Sequence, residues 1–167
     1  MELTISLSEL NKQSPYMLES SDMYSFVFTT DQGKKYEIGF IQDLMVSDEG
    51  VYQFFISTED QFKTRPDKKV QQTVMLLIDD FFKNEGVVLL YICAMEDNRQ
   101  AIRDRLFHRW FTSAVNKNEY SLRRISATVE DTEYFSSVIM RNDNPRFKAM
   151  TEAIDRFIED FQDKLNN

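Results

Sequence analysis

Residues 87–93, VVLLYIC, form an unbroken apolar run with helical periodicity on either side. A strand with one wet face alternates apolar and polar residues, so a run without alternation marks a central strand covered on both faces. That one feature dictates layers on both sides of a sheet.

The flanking segments supply the layers. Between Pro66 and Gly86, Val70, Val74, Leu77, Ile78, Phe81 and Phe82 fall on one helical face, while Lys69, Gln72, Asp79 and Lys83 lie mostly on the other. Asp67 is the expected N-cap and Gly86 the expected C-terminal glycine. Asn98 to Ala114 returns to helix through Ile102, Leu106 and Trp110. Upstream, Tyr24, Phe26 and Phe28, then Tyr36, Ile38 and Phe40, alternate on either side of a turn at Asp31-Gln32-Gly33, which predicts an antiparallel hairpin. VYQFFIS, residues 51–57, adds a third strand. Downstream, Tyr120–Val129 and Tyr134–Arg141 predict a second β pair joined by residues 130–133. Asn144 can cap a last helix, with Pro145 in its first position and Phe147, Met150, Ile154, Phe157, Ile158, Phe161 and Leu165 as its apolar stripe.

The expected fold is therefore α+β, a mixed sheet in the order β-β-β-α-β-α-β-β followed by a C-terminal helix. A right-handed crossover through the 67–85 helix makes strands 51–57 and 87–93 parallel neighbours. One domain over residues 1–167 is expected, with a weakly patterned segment at 1–22 holding one short helix near Ile5–Leu10, a core at 24–141 and the last helix at 144–165.

Charge and cysteine usage narrow the partners and the compartment. With 28 acidic and 20 basic side chains the formal charge is −8, which repels nucleic acid and anionic membranes and favours a basic or polar protein partner. Cys93 is the only cysteine, so no internal disulfide forms, and its apolar neighbours predict a buried, inert thiol. MELTISLSEL lacks a basic start and an apolar core, so a signal peptide is not expected, nor is a membrane span; a reducing cytoplasm is the default setting.

This succession of elements resembles the central part of the GNAT superfamily of N-acyltransferases over about residues 24–140. Gly86, the strand VVLLYIC, and Asn98 with Ala101 in "NRQA" match the family's helix-ending glycine, apolar strand and N-x-x-A step. The resemblance implies an acyl-CoA pyrophosphate held by a glycine-rich turn that opens the first helix. Here that turn falls on or near Asp67, Lys69 and Gln71, and none is glycine. Side chains there obstruct the approach of phosphate to backbone N–H groups, and Asp67 repels it by charge. Arg65, Lys68 and Lys69, with Lys63, keep the turn basic and are the candidate phosphate contacts, together with Asn98. The resemblance also implies a general-acid Tyr seven residues after that Asn, where this chain has Arg105. Tyr91 and Tyr120 are the candidate substitutes, and Glu96, beside Asp97 at the end of the central strand, is a candidate base.

His108 has no second histidine to share a metal with and reads as a packed or surface residue. Arg99, Arg103, Arg105 and Arg109 lie on one helix with Asp97 and Asp104 nearby, which predicts internal ion pairs, with an anion- or partner-binding face as the alternative. Arg123 and Arg124 in SLRRISATV read as solvent-side charges of a strand. The hairpin from Tyr24 to Phe40 and the stretch LLYICAMEDNRQAIRDRLFHRWF also look like a group of small uncharacterised bacterial proteins.

Two functions follow. The favoured one is a non-catalytic protein-binding or regulatory module, antitoxin- or immunity-like, that binds no cofactor. The alternative is a divergent acyl-CoA-dependent N-acyltransferase.

Overall fold

The computed structural model describes residues 2–58, 67–93, 100–114 and 116–166. Its class is α+β, a seven-stranded mixed sheet with strand order β1-β2-β3-β4-β5-β7-β6 and helices that include a C-terminal one. Two compact units divide the chain, Met1–Ile41 with Phe54–Asn84 and Gln42–Gln53 with Glu85–Asn167.

The first unit holds α1 (Leu7–Asn11), β1 (Glu19–Asp22), β2 (Ser25–Thr29), most of β3 (Lys35–Gln42), the end of β4 (Val51–Thr58) and α2 (Lys68–Phe81). The expected hairpin is β2–β3, with Phe28 opposite Tyr36 and Phe26 opposite Ile38. Gly39 sits where a Cβ would lie 2.3 Å from the Tyr24 carbonyl oxygen, so the strands close up only because that position has no side chain. Phe40 stacks on Phe81 of α2 at 4.5 Å between ring centroids. α2 ends as expected, with Gly86 in the left-handed region at φ +78°.

The segment before residue 23 is more built than its pattern predicts. The short helix near Ile5–Leu10 is present as α1, but β1 (ESSD) was not expected, because all four of its residues are exposed at the sheet's edge and show no alternation. Ser6 N–H donates to the buried Asp80 carboxylate at 2.7 Å, and Asn84 exchanges hydrogen bonds with the backbone of Thr4 at 2.8 and 3.0 Å. These bonds strap the N-terminal segment to the end of α2.

The second unit holds the start of β4, β5 (Val88–Ile92), α3 (Gln100–Thr112), a short 3-10 turn (Lys117–Glu119), β6 (Tyr120–Val129), β7 (Thr132–Arg141) and α4 (Phe147–Asn166). β5 lies between β4 and β7, and its residues alternate in use. Val88 and Leu90 join Met150 and Ile154 of α4 in one core, while Tyr91 stacks on Phe107 of α3 at 4.0 Å. The unbroken apolar run is thus explained by a helix on each face.

The β6–β7 hairpin closes tighter than expected. Glu130 and Asp131 both take positive φ, 47° and 64°, and Val129 pairs directly with Thr132, so the loop has two residues rather than four. α4 starts at Phe147 rather than at Pro145; in the turn ahead of it the Asn144 side chain accepts from Arg146 N–H at 2.8 Å, and its amide donates to Val87 O at 3.0 Å, which ties that turn to the residue before β5.

Candidate functional site

In the first unit the entry to α2 is filled by the chain's own side chains. Asp67 takes extended φ/ψ and its carboxylate accepts from Lys69 N–H at 2.8 Å, as an N-cap does. The other carboxylate oxygen accepts from Tyr16 Oη at 2.6 Å, and the Tyr16 ring stacks on Phe28 at 5.7 Å. Lys69 Nζ reaches Asp31 at 2.6 Å and stands 5.6 Å from the Tyr16 ring centre. The Tyr16 hydrogen bond, followed by the Lys69 and Val70 N–H groups, holds the Asp67 carboxyl below its usual range. Asp31 raises Lys69, and burial with the Asp67 bond raises Tyr16. Lys68 is exposed. Arg65 and Lys63 lie outside the described residues.

Asp67→Ala should therefore destabilise the protein by about 1–2 kcal/mol through loss of the cap and of the Tyr16 partner, read from chemical denaturation. A carboxyl depressed in the folded state contributes stability that is present above its unfolded pKa of about 3.9 and is lost as pH falls through the lower folded value. The gap in melting temperature between wild type and Asp67→Asn should accordingly be full near pH 6 and close below about pH 4. A gap constant across that range would mean that the Asp67 charge takes no part.

In the second unit Tyr91, the first catalytic candidate, is 5% exposed. Burial, then the neighbouring Cys93, raises its phenol above the usual range. Cys93 is buried as expected, and burial with the nearby Asp104 charge pushes its thiol up to about 11. A thiol so shifted is almost wholly protonated at neutral pH and is a poor nucleophile. Tyr120, half-buried, packs edge-on to Phe111 at 5.6 Å and lies under the Arg141 guanidinium at 5.8 Å. Tyr91 pairs with Ser137 and Tyr120 with Arg141, which sets the two phenols four β7 residues apart. At about 3.4 Å per residue that is roughly 14 Å along the strand, too far for one reacting atom. Glu96, Asp97 and Asn98 lie outside the described residues.

A polar row that sequence reasoning missed runs across this sheet: Tyr91, Ser137 and Arg124 stand opposite one another in register. Arg124 bonds the buried Asp104 carboxylate of α3. The sequence pattern predicts Asp104 pairing within its own helix and Arg124 as a plain solvent-side charge; the structure pairs them with each other. The available signal was Asp104 itself, a carboxylate three residues before Phe107 on the face that turns inward. His108 is half-buried, and its Nδ1 has no hydrogen-bond partner among the described residues. Arg105 is exposed on α3.

Among the described residues no helix is long and apolar enough to cross a membrane, and no group of three or more His, Cys, Asp or Glu side chains is disposed to hold a metal ion. A sequence-family profile described as "Family of unknown function (DUF6169)" matches residues 66–156, from the entry of α2 into α4. No curated protein matches the chain significantly.

Proposed function

The chain belongs to this family of unknown function, and we propose that it is a non-catalytic protein-binding or regulatory module, antitoxin- or immunity-like, built on a GNAT-like arrangement of elements. The observation that supports this reading is the entry of α2. The Asp67 carboxylate, itself held by the Tyr16 hydroxyl, occupies the Lys69 N–H, one of the groups that an acyl-CoA pyrophosphate needs. A negative group fixed there opposes phosphate by charge as well as by bulk. The burial of Tyr91, and its separation from Tyr120 along β7, agree with a scaffold not arranged for proton transfer. A cytoplasmic setting, with one free and buried thiol, belongs to the same reading.

Thermal melting with acetyl-CoA and longer acyl-CoAs tests it. No stabilisation is expected. A ligand at one hundred times its dissociation constant adds about 2.7 kcal/mol, so binding would be plain. A saturable shift would overturn the proposal in favour of the divergent N-acyltransferase, with Arg65, Lys68, Lys69 and Asn98 as cofactor contacts and Tyr91, Glu96 and Tyr120 as acid–base candidates.

A further inference from the structure

Ile102, Leu106 and Trp110, whose spacing predicts the helix in the sequence, form its outward stripe. α3 is seated by other residues: Asp104 on Arg124, Phe107 on Tyr91 and Phe111 on Tyr120. Ile102 is 56% and Leu106 40% exposed, and Trp110, the chain's only tryptophan, is half-buried four residues on. Arg105 and Arg109 are exposed on the same side. Neither has an ion-pair partner among the described residues, where the ion pairs involve other cations. In a chain of formal charge −8, this is an apolar stripe flanked by two arginines that have no ion-pair partner among the described residues.

We propose that the outer face of α3 docks an acidic amphipathic helix of a partner protein, whose apolar side chains cover Ile102 and Leu106 and whose carboxylates engage Arg105 and Arg109. The site rests on the protein-binding reading above and gives it a place and a partner chemistry. Spacing of i and i+4 is the repeat that a helix laid on a helix reads. Guanidinium forks match carboxylates bidentately, and Trp and Arg are the residue types that concentrate interface energy. Charge also decides the size of the partner. A helix about 10–12 Å across can touch α3 alone, whereas an anionic bilayer would meet the acidic remainder of the surface as well.

The lone Trp110 reports from within the site. Its emission is followed while the full chain is titrated with a synthetic helical peptide bearing a leucine stripe flanked by glutamates, with the same peptide carrying lysines instead, and with phosphatidylserine vesicles. Expected are a saturable emission change with the acidic peptide, binding at least about tenfold weaker with the lysine peptide, and marked weakening in high salt. Ile102→Glu should weaken the acidic peptide by about tenfold or more, and Arg105→Glu/Arg109→Glu should shift preference to the lysine peptide. These positions are exposed, so circular dichroism should show unchanged folding. No saturable response to the acidic peptide, an equal response to both peptides, or tighter binding to the vesicles would each overturn the proposal. The acyl-CoA melt is independent: a shift there with peptide binding intact sinks the non-catalytic reading alone, and silence in both sinks the α3 site alone.

Discussion

Phe81→Ala is expected to destabilise the protein by about 3–5 kcal/mol, the largest single effect foreseen here. Phe81 is fully buried, stacks on Phe40 at 4.5 Å and meets Phe82 edge-on at 5.0 Å. Truncation removes the transfer energy of the ring and leaves a void whose walls belong to a helix and a strand, which relax little. Phe81→Leu keeps most of the volume and should cost only about 1–1.5 kcal/mol. Urea denaturation followed at 222 nm separates the two. An alanine cost below about 1 kcal/mol would mean that α2 is not packed through this ring.

The second large effect concerns the Asp104–Arg124 pair and is asymmetric. Asp104 is 2% exposed, whereas the Arg124 side chain is 44% exposed. Removing the arginine strands a charge in the interior; removing the aspartate leaves a guanidinium that can turn to water. Arg124→Met should therefore cost about 3 kcal/mol and Asp104→Asn about 1 kcal/mol, with the double variant Asp104→Leu/Arg124→Met recovering much of the loss. A double-mutant cycle in urea measures this coupling. Equal costs, or a greater cost for the aspartate variant, would contradict the assignment of Arg124 as its neutralising partner.

α3 is where periodicity and packing part company. Its helical nature is legible through Ile102, Leu106 and Trp110, because any apolar stripe at that spacing signals the period. Periodicity does not say which stripe faces inward when a helix carries two. Phe107 and Phe111 face the sheet because Tyr91 and Tyr120 offer flat rings to receive them. The same limit hid the site. That Asp67 would cap α2 is local chemistry, readable from one residue and the helix behind it. That Tyr16, 51 residues earlier, would complete the plug is not. The β1 edge strand and the two-residue turn at Glu130-Asp131 escaped for related reasons. An exposed edge needs no alternation, and non-glycine residues reach positive φ when strand pairing on both sides closes around them.

What local chemistry decides, then, is the class α+β, the place of VVLLYIC as an inner strand, the cap at Asp67, the Asn144 turn that leads into α4, the stop at Gly86 and the buried thiol of Cys93. Each follows from hydrophobic period, backbone preference or a hydrogen bond spanning a few residues. Only the tertiary structure chose Tyr16 for Asp67, Arg124 for Asp104 and the outward aspect of Ile102 and Leu106. Those choices depend on which distant surfaces meet, and a side chain's partner across the chain is set by the register and packing of whole elements rather than by its neighbours in sequence.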